Sequence, residues 1–193
     1  MAPFFHRSHS QSLYGDMFIV DDKDVKTFIE KIYHSKTKYK QNVGRKKKSL
    51  DETGLEVATC RHVIAQKAIN MKQGEQYGYA LYLMKHYMVK WKVEYCWADV
   101  MCKLWKFAQR IDPDICKLMK PALSTMHAKG HSIQCQVNWD GLWIEGTGRS
   151  TGEETEQFFS LDVEIQPNIN FLKDERKQLQ SMRYIGIGLK LNL

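Results

Sequence analysis

The chain has 193 residues, 43% hydrophobic and 26% charged, a composition that suits one globular domain with a real core and excludes a disordered polymer. Its net charge of +7 favours a polyanionic partner, and no run of about 18 apolar residues is present to cross a membrane. Five cysteines form an odd set without the spacing of a disulfide framework, which points to a reduced intracellular setting.

Residues 1–15 are polar and rich in His and Ser, and read as a disordered tail. They lack the apolar run of a signal peptide. Asp16–Val20 is a short apolar segment. Asp22–Tyr33 places Val25, Phe28, Ile29 and Ile32 on one helical face, with acids in its first turn. The basic loop that follows holds Lys36, Lys38, Lys40, Arg45, Lys46, Lys47 and Lys48, seven cations without an acid between them. Gly54–Cys60 and Val63–Met71 read as strands with a turn near Arg61–His62. In Gly74–Lys92, Tyr77, Ala80, Leu81, Met84, Tyr87 and Met88 recur at helical spacing. Val93–Asp99 reads as the next strand and Val100–Arg110 as a helix. Pro113–Lys120 reads as a short helix, and Ala122–Asp140 fits either helix or strand. Gly141–Gly152 is a Gly-rich loop, and Glu153–Ser160 a helix. Residues 161–193 form a divergent C-terminal tail, partly helical over Leu172–Met182, ending in IGIGLKLNL.

Three groups of side chains are candidates for chemistry. The first is acidic. Asp99 closes an apolar strand just before a helix, a placement that aims a carboxylate into the crevice at a sheet edge. Glu153, with Glu156 one turn later, opens another helix. Two acidic positions far apart in sequence share a divalent metal when the fold joins them. The bland alternative is that Asp99 caps the next helix and that the glutamates are first-turn acids. The second group is soft: Cys60 and His62 at a strand end, and His127, His131 and Cys135 at intervals of four. On one continuous helix the last three share a face, and such sets suit tetrahedral Zn²⁺. The preferred set is Cys60, His62, His131 and Cys135, with His127 as substitute and Cys102 as a further candidate; buried core cysteines and surface histidines are the alternative. The third group is the basic run, which supplies phosphate contacts with Tyr39 available to stack, or else a solvated loop or a nuclear-localisation patch.

The order of these markers carries a resemblance. A Thr53-Gly54-Leu55 strand ends in Cys60-Arg61-His62. A Gly74-Glu75 helix start follows, then Ala98-Asp99-Val100-Met101-Cys102, His127-x3-His131-x3-Cys135 and Gly146-Thr147-Gly148-x3-Gly152-Glu153-x2-Glu156. Over residues 16–160 the chain resembles the Kyakuja–Dileera–Zisupton (KDZ) transposases. The resemblance implies an α/β, ribonuclease-H-like mixed sheet with flanking helices, and DNA strand transfer by an acidic triad holding Mg²⁺ or Mn²⁺. It makes Asp99 the second acid and Glu153 or Glu156 the third. It also implies DNA as partner and a nuclear protein; nothing in the sequence sets an oligomeric state. The family's first acid lies on strand one, in the middle of the sheet. The stretch MAPFFHRSHSQSLYG, where that strand belongs, holds neither an Asp nor a strand pattern. The expectation is therefore a partial, catalytically impaired transposase domain lacking its first central strand. The alternative is a non-catalytic nucleic-acid-binding or zinc-stabilised interaction protein.

Overall fold

The computed structural model describes residues 19–36, 53–72, 74–148, 150–164 and 183–191. The elements in chain order are α1 (Asp22–Lys36), β1 (Gly54–Cys60), β2 (Ala65–Met71), α2 (Tyr77–Leu83) with a π-helical continuation (Met84–Met88), and β3 (Val93–Ala98). Then come α3 (Met101–Ile111), α4 (Ile115–Leu118), β4 (Lys120–Leu123), α5 (Thr125–Ala128), α6 (Ile133–Trp139), α7 (Glu154–Glu164) and β5 (Arg183–Leu191). The fold is mixed α/β, built on one five-stranded sheet in the order β2-β1-β5-β3-β4. The expected Gly54–Cys60, Val63–Met71 and Val93–Asp99 strands are all members, the second starting two residues later.

The pairing fixes what stands at each end of the sheet. β1 is antiparallel to β2 and parallel to β5, whereas β3 is antiparallel to β5 and parallel to β4. The middle of the sheet is therefore filled, by β5, which pairs with β1 and β3 along their lengths. This differs from the expected gap at the centre and from the expected C-terminal tail, because residues 183–191 satisfy the backbone groups that a gap would strand. Ala58 and Ala98 both stand level with Ile187. Beyond that level β1 and β3 run in opposite directions, so Cys60 lies toward Leu189 while the chain after Ala98 leaves from the other end.

One face of the sheet carries the larger core. Cys96 and Ala98 of β3, Ala58 of β1 and Leu123 of β4 pack there with Val25, Ile29 and Ile32 of α1, Leu81 and Leu83 of α2, and Leu104, Trp105 and Phe107 of α3. The helical stripe read from Gly74–Lys92 is the face that packs here, which is why it is apolar at a period of 3.6. Gly78 permits the α1–α2 contact, since a Cβ would meet the end of the Ile29 side chain. The opposite face is smaller: Tyr95, Trp97 and Ala122, with Ile144 against them. There α7 is joined to the sheet by a buried hydroxyl pair, Thr59 Oγ1 to Thr155 Oγ1 at 2.8 Å.

One buried acid lies on the strand face that carries the larger core. Glu56 on β1 shares its face with Ala58, is 2% exposed, and its Oε1 has no hydrogen-bond partner. Burial pushes its carboxyl well above the ordinary range, and the charges of Glu75 and Asp99 push it further. The folded state thus holds a proton that the unfolded chain releases near the ordinary value of 4.5. The folded state binds more protons, so stability falls as pH rises above that value. Glu56→Gln is expected to reduce this slope and raise the melting temperature at about pH 8 more than at about pH 5. Thermal melts across that range check it; an unchanged slope in the variant defeats the assignment.

Candidate metal centre

The sheet end beyond Ala98 collects four titratable side chains from three places in the sequence. Asp99 follows β3 directly. The next helix has its N-cap at Val100 without a side-chain capping bond, so Asp99 is not spent as a cap. Its Oδ1 instead accepts from the buried Ser124 hydroxyl at 3.0 Å, across the parallel β3–β4 pair. The same hydroxyl faces the Gly152 carbonyl at 3.2 Å, and Thr125 N–H donates to the Thr151 carbonyl at 2.9 Å. These bonds lay the segment before α7 along the end of β4.

That segment delivers the glutamates. Gly152 has φ +79, in the left-handed region that favours glycine, and a Cβ there would collide with the Trp97 ring. Glu153 therefore emerges close against the sheet, its side chain 8% exposed. Its Oε1 accepts from Met126 N–H at 2.8 Å, in the first turn of α5. Glu153 thus caps a helix 27 residues away, not the one it precedes. Glu156, in the first turn of α7, is more exposed.

His127 of α5 stands between the acids. Its Nδ1 lies 3.3 Å from Asp99 Oδ1 and 3.6 Å from Glu153 Oε2, and its Nε2 lies 3.2 Å from Glu156 Oε1. Single ligand atoms of Asp99, His127 and Glu156 all lie within 4.8 Å of one another. Two buried atoms here, His127 Nδ1 and Glu153 Oε2, have no hydrogen-bond partner. Burial raises the Asp99 carboxyl above its ordinary value, opposed by His127 and the Ser124 hydroxyl and reinforced by Glu156. Burial likewise raises Glu153, opposed by Met126 N–H. Carboxylate oxygens and an imidazole crowded together, with two buried atoms unpartnered, fit a divalent cation, which would relieve the repulsion among the carboxylates.

The expected zinc set separates. Residues 122–140 are not one helix: α5 stops before Gly130, and α6 starts afresh with Ser132 as N-cap, its side chain accepting from Cys135 N–H at 3.4 Å. The break sends His127 to the acids and His131 and Cys135 elsewhere. They meet Cys102, on the first turn of α3, and the ligand atoms of Cys102, His131 and Cys135 all lie within 4.8 Å of one another. Cys60 and His62 stay together, 4.0 Å apart, but among the described residues neither joins a group of three ligands. Their strand ends away from Asp99, as the register requires. Of the basic run, Lys36 ends α1, and Lys38, Lys40, Arg45, Lys46, Lys47 and Lys48 lie outside the described residues.

Sequence reasoning did not single out Ser124 or assign His127 to the acids. A Ser after a short apolar strand is an ordinary helix-entry residue, and only the β3–β4 pairing shows what it holds. Gly152→Ala is expected to cost about 2 kcal/mol or more, from forced positive φ and overpacking against Trp97. It should also weaken divalent-metal binding, because Glu153 must move with it. Denaturant melts and Mn²⁺ titration of the same preparation check both.

The sequence model of the Kyakuja-Dileera-Zisupton transposase family matches residues 5–177. No curated protein and no solved structure matches the chain.

Proposed function

Because this chain belongs to the Kyakuja–Dileera–Zisupton transposase family, we propose that Asp99, Glu153, Glu156 and His127 form a divalent-metal site derived from a strand-transfer centre, on a domain that binds DNA but does not complete transposition. The convergence of Asp99, His127 and Glu156 within 4.8 Å carries the reading. Asp99 and Glu156 offer hard oxygen ligands, the open face of Glu153 offers another, and His127 offers an imidazole. Carboxylate oxygens suit Mg²⁺ and Mn²⁺, and the imidazole tilts the set toward Mn²⁺. A cation bound there supplies charge neutralisation and activation of an attacking oxygen. The protein's part is positional. Ser124 orients Asp99, Met126 N–H holds one oxygen of Glu153 so that the other faces inward, and Trp97 with Gly152 sets how near α7 comes.

The ribonuclease-H-like reading is supported by the antiparallel β1–β2 pair, the acid at the end of β3, the parallel β3–β4 pair and the acid-bearing α7. Two observations favour loss of activity. The middle strand β5 carries no Asp or Glu, and it runs antiparallel to β3. The site therefore draws no acid from the middle of the sheet. In-line displacement with two metals needs a ligand set that bridges them. The same observations support the second reading, a non-catalytic nucleic-acid-binding protein. In either case the cations from Lys36 to Lys48 supply phosphate contacts. Among the described residues no helix is long and apolar enough to cross a membrane.

Mn²⁺ titration followed by electron paramagnetic resonance tests the site. Wild-type protein is expected to bind one ion, and Asp99→Asn to lose at least about tenfold in affinity. Binding should weaken on acidification, beginning above the ordinary carboxylate range because Asp99 and Glu153 are both raised. A strand-transfer or nicking assay with Mg²⁺ or Mn²⁺ should show no product; Asp99-dependent cleavage would restore the enzyme reading. Replacing Lys46, Lys47 and Lys48 with Gln should weaken DNA binding for all sequences alike and reduce the salt slope by about one per lost phosphate contact. An unchanged slope removes this run from the interface.

A further inference from the structure

We propose that Cys102, His131 and Cys135 form a second, separate metal site, specific for Zn²⁺, that clips the first turn of α3 to the start of α6. Cys102 Sγ lies 3.5 Å from His131 Nδ1, and Cys135 Sγ completes a triangle with every edge within 4.8 Å. Tetrahedral zinc with Zn–S of about 2.3 Å and Zn–N of about 2.0 Å separates S from N by about 3.6 Å and S from S by about 3.8 Å. The Cys102–His131 edge is already at that spacing, and the remaining edges need close by no more than about 1.2 Å. All five cysteines are free thiols. Two thiolates and one imidazole are a soft donor set that prefers Zn²⁺ to the hard cations fitted to the carboxylates.

The three ligands come from elements that need a tie. Cys102 is buried on α3, while α6 has no buried residue of its own and exposes Ile133 and Val137. Apolar burial does little to fasten α6, and coordination through His131 and Cys135 would supply that fastening. Three protein ligands would leave the fourth tetrahedral position to water. Zinc takes cysteine as the thiolate, so loading the site displaces thiol protons and weakens as pH falls. The zinc site shares no ligand with the carboxylate site, and it stands whether or not that site binds Mn²⁺.

The test uses the full chain, reduced and stripped of metal, titrated first with Co²⁺ and then with Zn²⁺. The expected spectrum has a thiolate-to-cobalt charge-transfer band and strong tetrahedral d–d bands, both abolished by Zn²⁺. Zinc content should fall from about one per chain to below roughly a tenth in Cys102→Ser and in Cys135→Ser. Cys60→Ser, Cys116→Ser and Asp99→Asn should keep it. Asp99→Asn losing Mn²⁺ while retaining Zn²⁺ separates the two sites. Cys135 is only half-buried, so its Ser variant decides the matter even if Cys102→Ser does not fold. The proposal is overturned by a cobalt spectrum without the thiolate band, by wild-type zinc content in Cys135→Ser, by loss of zinc in Cys60→Ser, or by a Cys102–Cys135 disulfide as the stable state of the reduced-buffer preparation.

Discussion

Asp99 and Glu156 bring like charges within 4.8 Å of one another, with Glu153 beside them, and the surrounding structure is arranged to tolerate that crowding. Carboxylates held so close in a partly dry environment repel one another and lose hydration together. His127 stands among all three, the Ser124 hydroxyl takes part of the Asp99 charge, and a helix-end N–H takes part of the Glu153 charge. Each compensating group depends on a backbone arrangement elsewhere. Ser124 is in place because β4 runs parallel to β3. Met126 is in place because α5 begins where β4 ends. Glu153 is in place because a glycine lets the chain pass against Trp97. Asp99 is thus the point at which sheet register, helix entry and loop conformation are reconciled.

The two candidate metal sites show how one short interruption divides chemistry. His127 and His131 are separated by a single helical turn in sequence, yet they face different ligand sets. Gly130 and Ser132 end one helix and start another, and the change of direction takes the imidazoles apart. One then stands among oxygens and the other among sulfurs. Donor type helps to sort hard from soft cations, so neighbouring sites built this way favour different ions.

Much of the sheet and of the acidic cluster is legible in the sequence, for local reasons. Gly54–Cys60 and Val93–Asp99 are apolar because they are buried, and their turns follow directly. Asp99, Glu153 and Glu156 are legible because one closes an apolar strand and the others follow a glycine-rich loop at a helix start. Three features are not. Whether Cys60 lies near Cys135 depends on the relative direction of β1 and β3, which no local pattern encodes. Whether 122–140 is one helix or a strand and two helices turns on a four-residue strand and on the Gly130–Ser132 break, too short for periodicity to resolve. The third is IGIGLKLNL, which alternates glycine with larger residues and reads as an appendage. Pairing on both sides gives it a place that its own composition does not.

The central position of β5 has a consequence for synthesis. The two strand pairs that flank it, β2–β1 and β3–β4, precede it in the chain and leave the ribosome first. Until β5 arrives, β1 and β3 each present an open edge that β5 later covers. Contacts between Gly54–Cys60 and Arg183–Leu191 span most of the sequence, so closure is a late and slow event of high contact order. Over that interval the protein's yield depends on chaperone cover as much as on the stability of the finished sheet.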